Sequence, residues 1–420
     1  MSRALSRFAR AATTLWFRRC RAEGPLPGPG PALFLLNHPN GLLDPLVATA
    51  LLDPPPRALA KATLWKQPML RPFLALFDPI PVHRPKDGDA SPEATLKTFQ
   101  TVHDALAKGQ RIALFPEGVS HGEADLAPLK TGAARMALSC PVPAALIPAG
   151  LVYGERTLFR SSVLLRLGEP IPYEDLRPKG TDPDAVLELT GRIREALYTL
   201  TLHDPEEERL RLAQDLAWLL AEGPAERADL ERIRARVRTL LPVLAGLSER
   251  GRSRLARRVR AAHRWLRRSG LRPDQVGHPY PFQEVAAWVP SAAMRLALAP
   301  LLLPFGLLFW PPYRLVGWAV ARLTDEIDQT ATFKVLGGLL FFLLWTGGLG
   351  WLLHRAFGGW GLAGLAPLGL LLAFLALRLS ERLHEDWQAI RGFARRGAPA
   401  AAKLLEARRM LIEAFPALEG

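Results

Sequence analysis

From Val335 to Leu353 no residue carries a charge, and Leu362–Leu377 is a second charge-free run. A bilayer-crossing helix needs about 20 apolar residues, within a range of about 17–25. The first run meets that length, and the second approaches it when Gly361 is included. Segments 335–353 and 361–377 therefore read as a hairpin that crosses a membrane and returns. A third apolar stretch, 296–310, is shorter and contains Pro300 and Pro304, with Pro311 and Pro312 directly behind it. It reads as re-entrant: it enters and is turned back by the proline pair. Together these runs define a membrane region over 291–378, preceded by a charged helical region, 203–290, and followed by a helical tail, 379–420. Basic residues flank the hairpin at Arg314 and Arg322 and again at Arg378, Arg382, Arg391, Arg395 and Arg396, whereas the connecting turn carries only Arg355. The positive-inside rule puts both flanks in the cytoplasm. The expected location is thus the cell (inner) membrane, with the N-terminal domain on the cytoplasmic side.

The N-terminal half has a different texture. Apolar runs of strand length recur at Ala32–Leu36, Ile80–Val82, Arg111–Phe115, Ala145–Pro148 and Val163–Leu167, with helical patterns between them at 92–108, 129–139 and 183–200. Strands alternating with helices predict an α/β domain, a mixed sheet flanked by helices, over 25–202. Residues 1–24 carry Leu5, Phe8, Ala12, Leu15 and Trp16 on one side, with Arg3, Arg7, Arg10, Arg18 and Arg19 spread among them. This predicts a basic amphipathic helix, lying on a membrane surface or packed as a first helix on the domain core. The net charge of +14 points to an anionic partner. Ten arginines between 248 and 272 against the single acid Glu249 suit lipid headgroups or a solvated helix face. Trp265 is the one Phe, Tyr or Trp in that run, so aromatics are not interleaved through it, and with the membrane runs this speaks against a nucleic-acid partner. Two cysteines, Cys20 and Cys140, make neither a disulfide framework nor a zinc pattern.

Three groups of residues can carry chemistry. In Asn37-His38-Pro39-Asn40-Gly41-Leu42-Leu43-Asp44, a histidine in a turn after a strand has an acid close behind it. A carboxylate on one imidazole nitrogen leaves the other free to take a proton from a hydroxyl. Asp44-Pro45 also has the chemistry of an N-cap followed by a first helical proline, predicting a helix over 45–52. Second, Phe115-Pro116-Glu117-Gly118-Val119-Ser120 ends a strand and would present a carboxylate and backbone N–H groups at the mouth of the sheet. Third, Lys61, Arg84 and Lys130 are cations near apolar turns, suited to binding phosphate. Taken singly, each has a plain structural reading: a turn histidine, a helix cap, a strand-ending acid, solvated surface charges.

In their order and spacing these elements resemble the glycerolipid acyltransferase superfamily. His38 and Asp44 look like its first motif, Ile80-Pro81-Val82-His83-Arg84 its second, Phe115–Ser120 its third and Leu146-Ile147-Pro148 its fourth. Five residues separate His38 from Asp44 where most members have four. That longer interval is similar to the fungal-type glycerol-3-phosphate/dihydroxyacetone-phosphate acyltransferases. So are Ser120-His121, Asp125-Leu126, Pro128–Gly132 and Tyr153 with Phe159-Arg160-Ser161.

The resemblance implies a membrane-bound enzyme of phospholipid biosynthesis. Its acyl donor would be acyl-CoA or acyl-carrier protein as co-substrate, with no metal and no organic cofactor. Its acceptor would be glycerol 3-phosphate, or alternatively dihydroxyacetone phosphate or 1-acylglycerol 3-phosphate. His38 would be the base and Asp44 its partner. Arg84 and Lys130, with Lys61 as a weaker third, would hold the phosphate. Glu117 would contact the substrate and Gly118 would offer its backbone N–H. No serine or cysteine lies in a nucleophile elbow, so direct transfer is expected. A lipid-binding scaffold on the same fold is the competing non-enzymatic expectation. Membrane lipids are the expected partners, and the sequence leaves the oligomeric state open.

Overall fold

The structure is a computed structural model describing residues 3–67, 70–83, 91–221, 229–276, 278, 280–324, 326–359, 366–395, 402, 405–406 and 408–410. The chain divides into two compact units. One comprises 1–207 together with 326–332, and the other 208–325 with 333–420.

The first unit opens with α1 (Arg3–Trp16), β1 (Arg19–Glu23), β2 (Ala32–Leu36), α2 (Leu43–Leu51), β3 (Arg57–Lys61), α3 (Arg71–Phe77) and β4 (Ile80–Val82). It continues through α4 (Pro92–Ala107), β5 (Arg111–Leu114), α5 (Gly132–Ser139), β6 (Ala145–Tyr153), β7 (Ser162–Leu167) and α6 (Pro183–Leu200). The seven strands form one sheet in the order β1-β7-β6-β2-β5-β3-β4. All neighbours run parallel except β6 and β7. The sheet is therefore mixed, as expected. β2 is buried along its whole length, which is why it reads as an unbroken apolar run rather than an alternating one. Leu33 and Leu35 face one side and join Ile112, Leu146 and the inner faces of α4, α5 and α6 in a single core. On the other side α1 packs on α2, and α2 meets β1 and β7.

Two strands escape sequence inspection. β1 (Arg-Cys-Arg-Ala-Glu) and β3 (Arg-Ala-Leu-Ala-Lys) are too polar for a strand pattern, and they form by pairing with β7 and with β4 and β5. The expected amphipathic helix over 1–24 accordingly stops at Trp16, and 19–23 belong to the sheet. Leu5, Ala9 and Thr13 are buried, so that face of α1 serves the domain core, while Phe8 and Leu15 stay exposed.

The second unit holds α7 (Glu207–Leu219) from Glu208 on, α8 (Leu230–Ala245), α9 (Glu249–Ser269), α10 (Phe282–Leu308), α11 (Trp310–Leu323), α12 (Ile327–Phe357) from Phe333 on, and α13 (Ala366–Ala394). Capping is regular: Asp229 accepts from two backbone N–H groups of α8, and the Ser248 hydroxyl accepts from Gly251 at the start of α9. The arginine run is α9 itself, its apolar stripe of Leu255, Val259 and Leu266 buried.

Pro300 and Pro304 do not break the third apolar stretch; with Pro290 they lie inside α10. Each proline removes one backbone donor, and the packing of α10 along α13 offsets this. The helix stops only at Phe309, after which Pro311 and Pro312 occupy the first turn of α11, where a missing N–H costs nothing. α10 and α13 run antiparallel. Near one end Asp386 accepts from Arg295 (2.6 and 2.7 Å) and from the Trp288 indole (2.8 Å). Further along, Gly306 lies against Ala376. At the α10–α11 break the Trp345 indole donates to the Leu308 carbonyl and Phe309 stacks on Phe342. α12 runs on from there to Phe357. By length and composition, Phe282–Leu308 and Gln329–Phe357 could each cross a membrane. Of the second expected span, 361–365 lie outside the described residues and the remainder is the start of α13.

Candidate active site

Because β2, β3, β4, β5 and β6 are parallel, their C-terminal ends share one edge of the sheet. β2 sits between β5 and β6, so the loops leaving these three strands converge there, where open α/β sheets hold ligands. Asn37, just past β2, locks the edge together. Its side-chain oxygen accepts from the Leu151 N–H (2.6 Å) and its amide donates to the Leu151 carbonyl (3.1 Å), mimicking one more rung of the ladder with β6.

His38 follows. Its Nδ1 lies 2.7 Å from Asp44 Oδ2, and its ring stacks on Phe115 with 4.1 Å between centroids. With Asp44 ionised, Nδ1 carries the proton and Nε2 is an open acceptor. The His38 side chain is 18% exposed and that of Asp44 0%. The five-residue interval closes without strain. The Leu43 N–H donates to the Asn40 carbonyl (2.9 Å), and the Asn40 N–H donates to Asp44 Oδ2 (2.7 Å). Asp44 is therefore not an N-cap. It lies inside the first turn of α2, whose cap position is Leu42, and its carboxylate turns back to the loop. Oδ1 accepts from the Tyr153 hydroxyl at 2.5 Å. Burial first, and the neighbouring Asp44 charge second, push the Tyr153 phenol well above its usual range, so it stays a donor.

Glu117 departs from expectation. It is 1% exposed, and its oxygens are taken up by the protein. Oε1 accepts from the His38 N–H (2.7 Å), and Oε2 accepts from the Ala127 N–H (2.9 Å) and is paired with His121 Nε2. A carboxylate so enclosed is a brace for the His38 loop, not a face offered to substrate. Its hydrogen bond raises the His121 imidazole above the ordinary value, against an opposing contribution from burial. Gly118 has φ +72°, a left-handed turn that favours glycine, and a Cβ there would lie 3.3 Å from the Lys130 side chain. The Lys130 stem thus crosses Gly118. Its backbone N–H donates to the Pro116 carbonyl, and the residue is exposed.

Of the other expected cations, one is farther off and one is not described. Lys61 is exposed at the end of β3, two strands and about 10 Å along the edge from β2. Arg84, just beyond β4, lies outside the described residues. The structure adds a cation that sequence reasoning missed. Arg156, in the β6–β7 loop, accepts from the Asn40 side-chain amide at its backbone carbonyl (2.9 Å), and its guanidinium donates to the Gly122 carbonyl (3.3 Å). Its charge reaches both Tyr153 and His121. Sequence inspection likewise gives no role to Asn40, His121 or Tyr153. His121 and Tyr153 stand in stretches similar to the fungal enzymes, the one available signal. Among the described residues, no group of three or more His, Cys, Asp or Glu side chains could hold a metal ion.

Residues 18–152 match the protein family described as Acyltransferase, a stretch that contains His38, Asp44, Glu117 and Lys130. The N-terminal unit carries a domain of the acyltransferase family. Glycerol-3-phosphate O-acyltransferase 2 of Saccharomyces cerevisiae is 35% identical to the chain over 127 residues, and Glycerol-3-phosphate O-acyltransferase 1 of the same yeast is 34% identical over 128. In both cases the match takes in 28% of this chain but only 17% of the yeast protein. Among solved structures, the 1-acyl-sn-glycerophosphate (LPA) acyltransferase PlsC from Thermotoga maritima is 18% identical. It covers 46% of this chain and 76% of its own, with a TM-score of 0.35. The acyltransferase domain thus embraces the strands whose ends make the site, while Tyr153 and Arg156 fall just past its matched boundary.

Proposed function

We propose that the protein is a membrane-bound O-acyltransferase that moves a fatty acyl group from a thioester, acyl-CoA or acyl-carrier protein, to a hydroxyl of glycerol 3-phosphate. The observation that carries this reading is the His38–Asp44 pair, 2.7 Å apart, with the second imidazole nitrogen unused at the sheet edge. His38 Nε2 takes the hydroxyl proton, and the oxygen attacks the thioester carbonyl. The tetrahedral adduct then collapses, the carbon–sulfur bond breaks, and the thiolate leaves with the proton from the imidazolium. Asp44 holds the imidazole tautomer and stabilises its charge. Such a positioned base contributes typically about 10²–10⁴-fold.

The free cysteines suit direct transfer: burial pushes the Cys20 thiol up to about 11 and raises Cys140, leaving neither as a ready nucleophile. Lys130 and Arg156 supply cations to the acceptor phosphate, with Arg84 and, more distantly, Lys61. The yeast relatives' names, with the long His–Asp interval, favour glycerol 3-phosphate as acceptor.

The apolar helices of the second unit suit an acyl substrate, since withdrawing a fatty chain from water is worth about 0.8 kcal/mol per methylene. In this reading α10 and α11 enter the bilayer and return, α12 and α13 cross it, and the catalytic domain faces the cytoplasm. The test is purified protein in detergent, given labelled acyl-CoA or acyl-carrier protein with each acceptor in turn. Label should enter 1-acylglycerol 3-phosphate when glycerol 3-phosphate is offered. Transfer only to 1-acylglycerol 3-phosphate would reassign the acceptor, and no transfer to any acceptor would overturn the reading.

A further inference from the structure

Three elements converge on one carboxylate. Asp44 comes from α2, His38 from the end of β2 and Tyr153 from the last residue of β6. Asp44 is fully buried, so its charge depends on the donors it meets. Oδ2 has two, His38 Nδ1 and the Asn40 N–H, both at 2.7 Å; Oδ1 has the Tyr153 hydroxyl at 2.5 Å. Among the described residues, no other hydrogen bond reaches Oδ1. The Tyr153 ring is itself held, tilted against Phe17 at 5.7 Å, and its backbone is in register with Val163 of β7. The hydroxyl is thus aimed by the sheet.

We propose that Tyr153 is a positioning residue for the transfer reaction, setting the basicity of His38 through Asp44. This rests on the reading of His38 as the base. A donor on Oδ1 fixes the rotation of the carboxylate, so that Oδ2 points at the imidazole. It also draws charge toward Oδ1 and weakens the pull of Oδ2 on the imidazolium proton. Without it, His38 and Asp44 together hold their proton more tightly and the base is free only at higher pH. Among the described residues, the other charged or titratable groups near His38, Asp44 and Tyr153 are Glu117 and His121 from the β5 loop, Arg156 from the β6–β7 loop and Cys20 of β1. Tyr153→Phe leaves all four in place.

Two measurements on the full-length protein in detergent test this. The first is the pH profile of kcat/KM. Tyr153→Phe should move the acid limb up by about one pH unit, a share of the roughly one to two units that a hydrogen bond to a charged group is worth. Tyr153→3,5-difluorotyrosine, a stronger donor of the same shape, should move it the other way. The second needs no turnover: the pH dependence of His38 carbethoxylation by diethyl pyrocarbonate, read by peptide mass spectrometry, should shift in the same directions. An unmoved His38 titration with a merely lowered Tm gives Tyr153 a structural role only and overturns the inference. Shifted carbethoxylation in a protein that transfers no acyl group keeps the Tyr153–Asp44–His38 coupling and sinks the acyltransfer reading instead.

Discussion

Replacing Glu117 by Gln separates a brace from a substrate contact. The carboxylate faces three N–H groups: His38 at Oε1, and Ala127 and His121 at Oε2. A carboxamide can keep its oxygen toward His38, but its NH₂ then meets the Ala127 N–H, leaving that donor without an acceptor at a cost of about 1–3 kcal/mol. Neutral His121 can adapt by moving its proton to Nδ1 and accepting from the new NH₂. Protonated His121 cannot, and the lost charge-assisted bond adds about 1.5–3 kcal/mol. The folded-state value of His121 is raised above 6.5. Its stabilising contribution is therefore complete below the ordinary value and fades as pH rises through the raised one. The Tm deficit of Glu117→Gln should accordingly be larger at pH 6 than at pH 9. At about 2–4 °C per kcal/mol for a unit of this size, the alkaline deficit is a few degrees and the acid one roughly twice that. Tryptophan fluorescence in detergent gives the midpoints, and acyl-transfer kinetics on the same samples should show kcat falling with little change in acceptor KM. Unchanged Tm at both pH values, with acceptor KM alone raised, would return Glu117 to the role of a substrate contact.

His38→Ala should lower kcat by at least about 100-fold without lowering Tm appreciably, and Asp44→Asn should be similar or milder; retention of a tenth of the activity would exclude His38 as base. Arg156→Ala and Lys130→Ala should each raise the glycerol phosphate KM about tenfold or more while sparing the donor KM, and Lys61→Ala should do so less. Equal effects on both substrates would remove them from the phosphate site. Gly150→Ala should destabilise the domain by about 1–3 kcal/mol, because its Cβ would stand 2.7 Å from the Leu200 Cβ and 2.8 Å from the Leu200 carbonyl oxygen; a wild-type Tm would mean α6 yields easily. In a cysteine-free background, Arg355→Cys should react with an impermeant maleimide in intact cells and Arg395→Cys only after lysis, and the reverse pattern would overturn the proposed topology.

Local chemistry foretells some of this and misses the rest for identifiable reasons. The buried strands β2, β5, β6 and β7 are legible because both faces of the sheet are covered, leaving apolar runs no loop would carry. β1, at one edge, and β3, between β5 and the edge strand β4, are not, because each is held by its partners' backbones rather than marked by its own side chains. Asp44 looks like a helix cap because Asp before Pro is good cap chemistry. Its carboxylate is instead claimed by His38 and Tyr153, the latter more than a hundred positions away, and no local preference reports such a partner. Pro300 and Pro304 suggest a broken segment, yet α10 continues through them because α13 lies along it, held at Asp386 by Arg295 and Trp288.

By itself the sequence determined which residues have the chemistry: a histidine and two carboxylates shortly behind apolar strands and several cations near apolar turns, followed by charge-free runs long enough for a bilayer. Those are properties of residue type and spacing, and they survive without knowledge of contacts. Only the tertiary structure decided what each group does. The parallel strands bring their C-terminal ends to one edge, so His38 meets Asp44, Glu117 is enclosed as a brace, and Tyr153 and Arg156 join from a strand that closes the site from the far side. Burial and hydrogen-bond partners set the role of a titratable group, and both are supplied by segments distant in the chain.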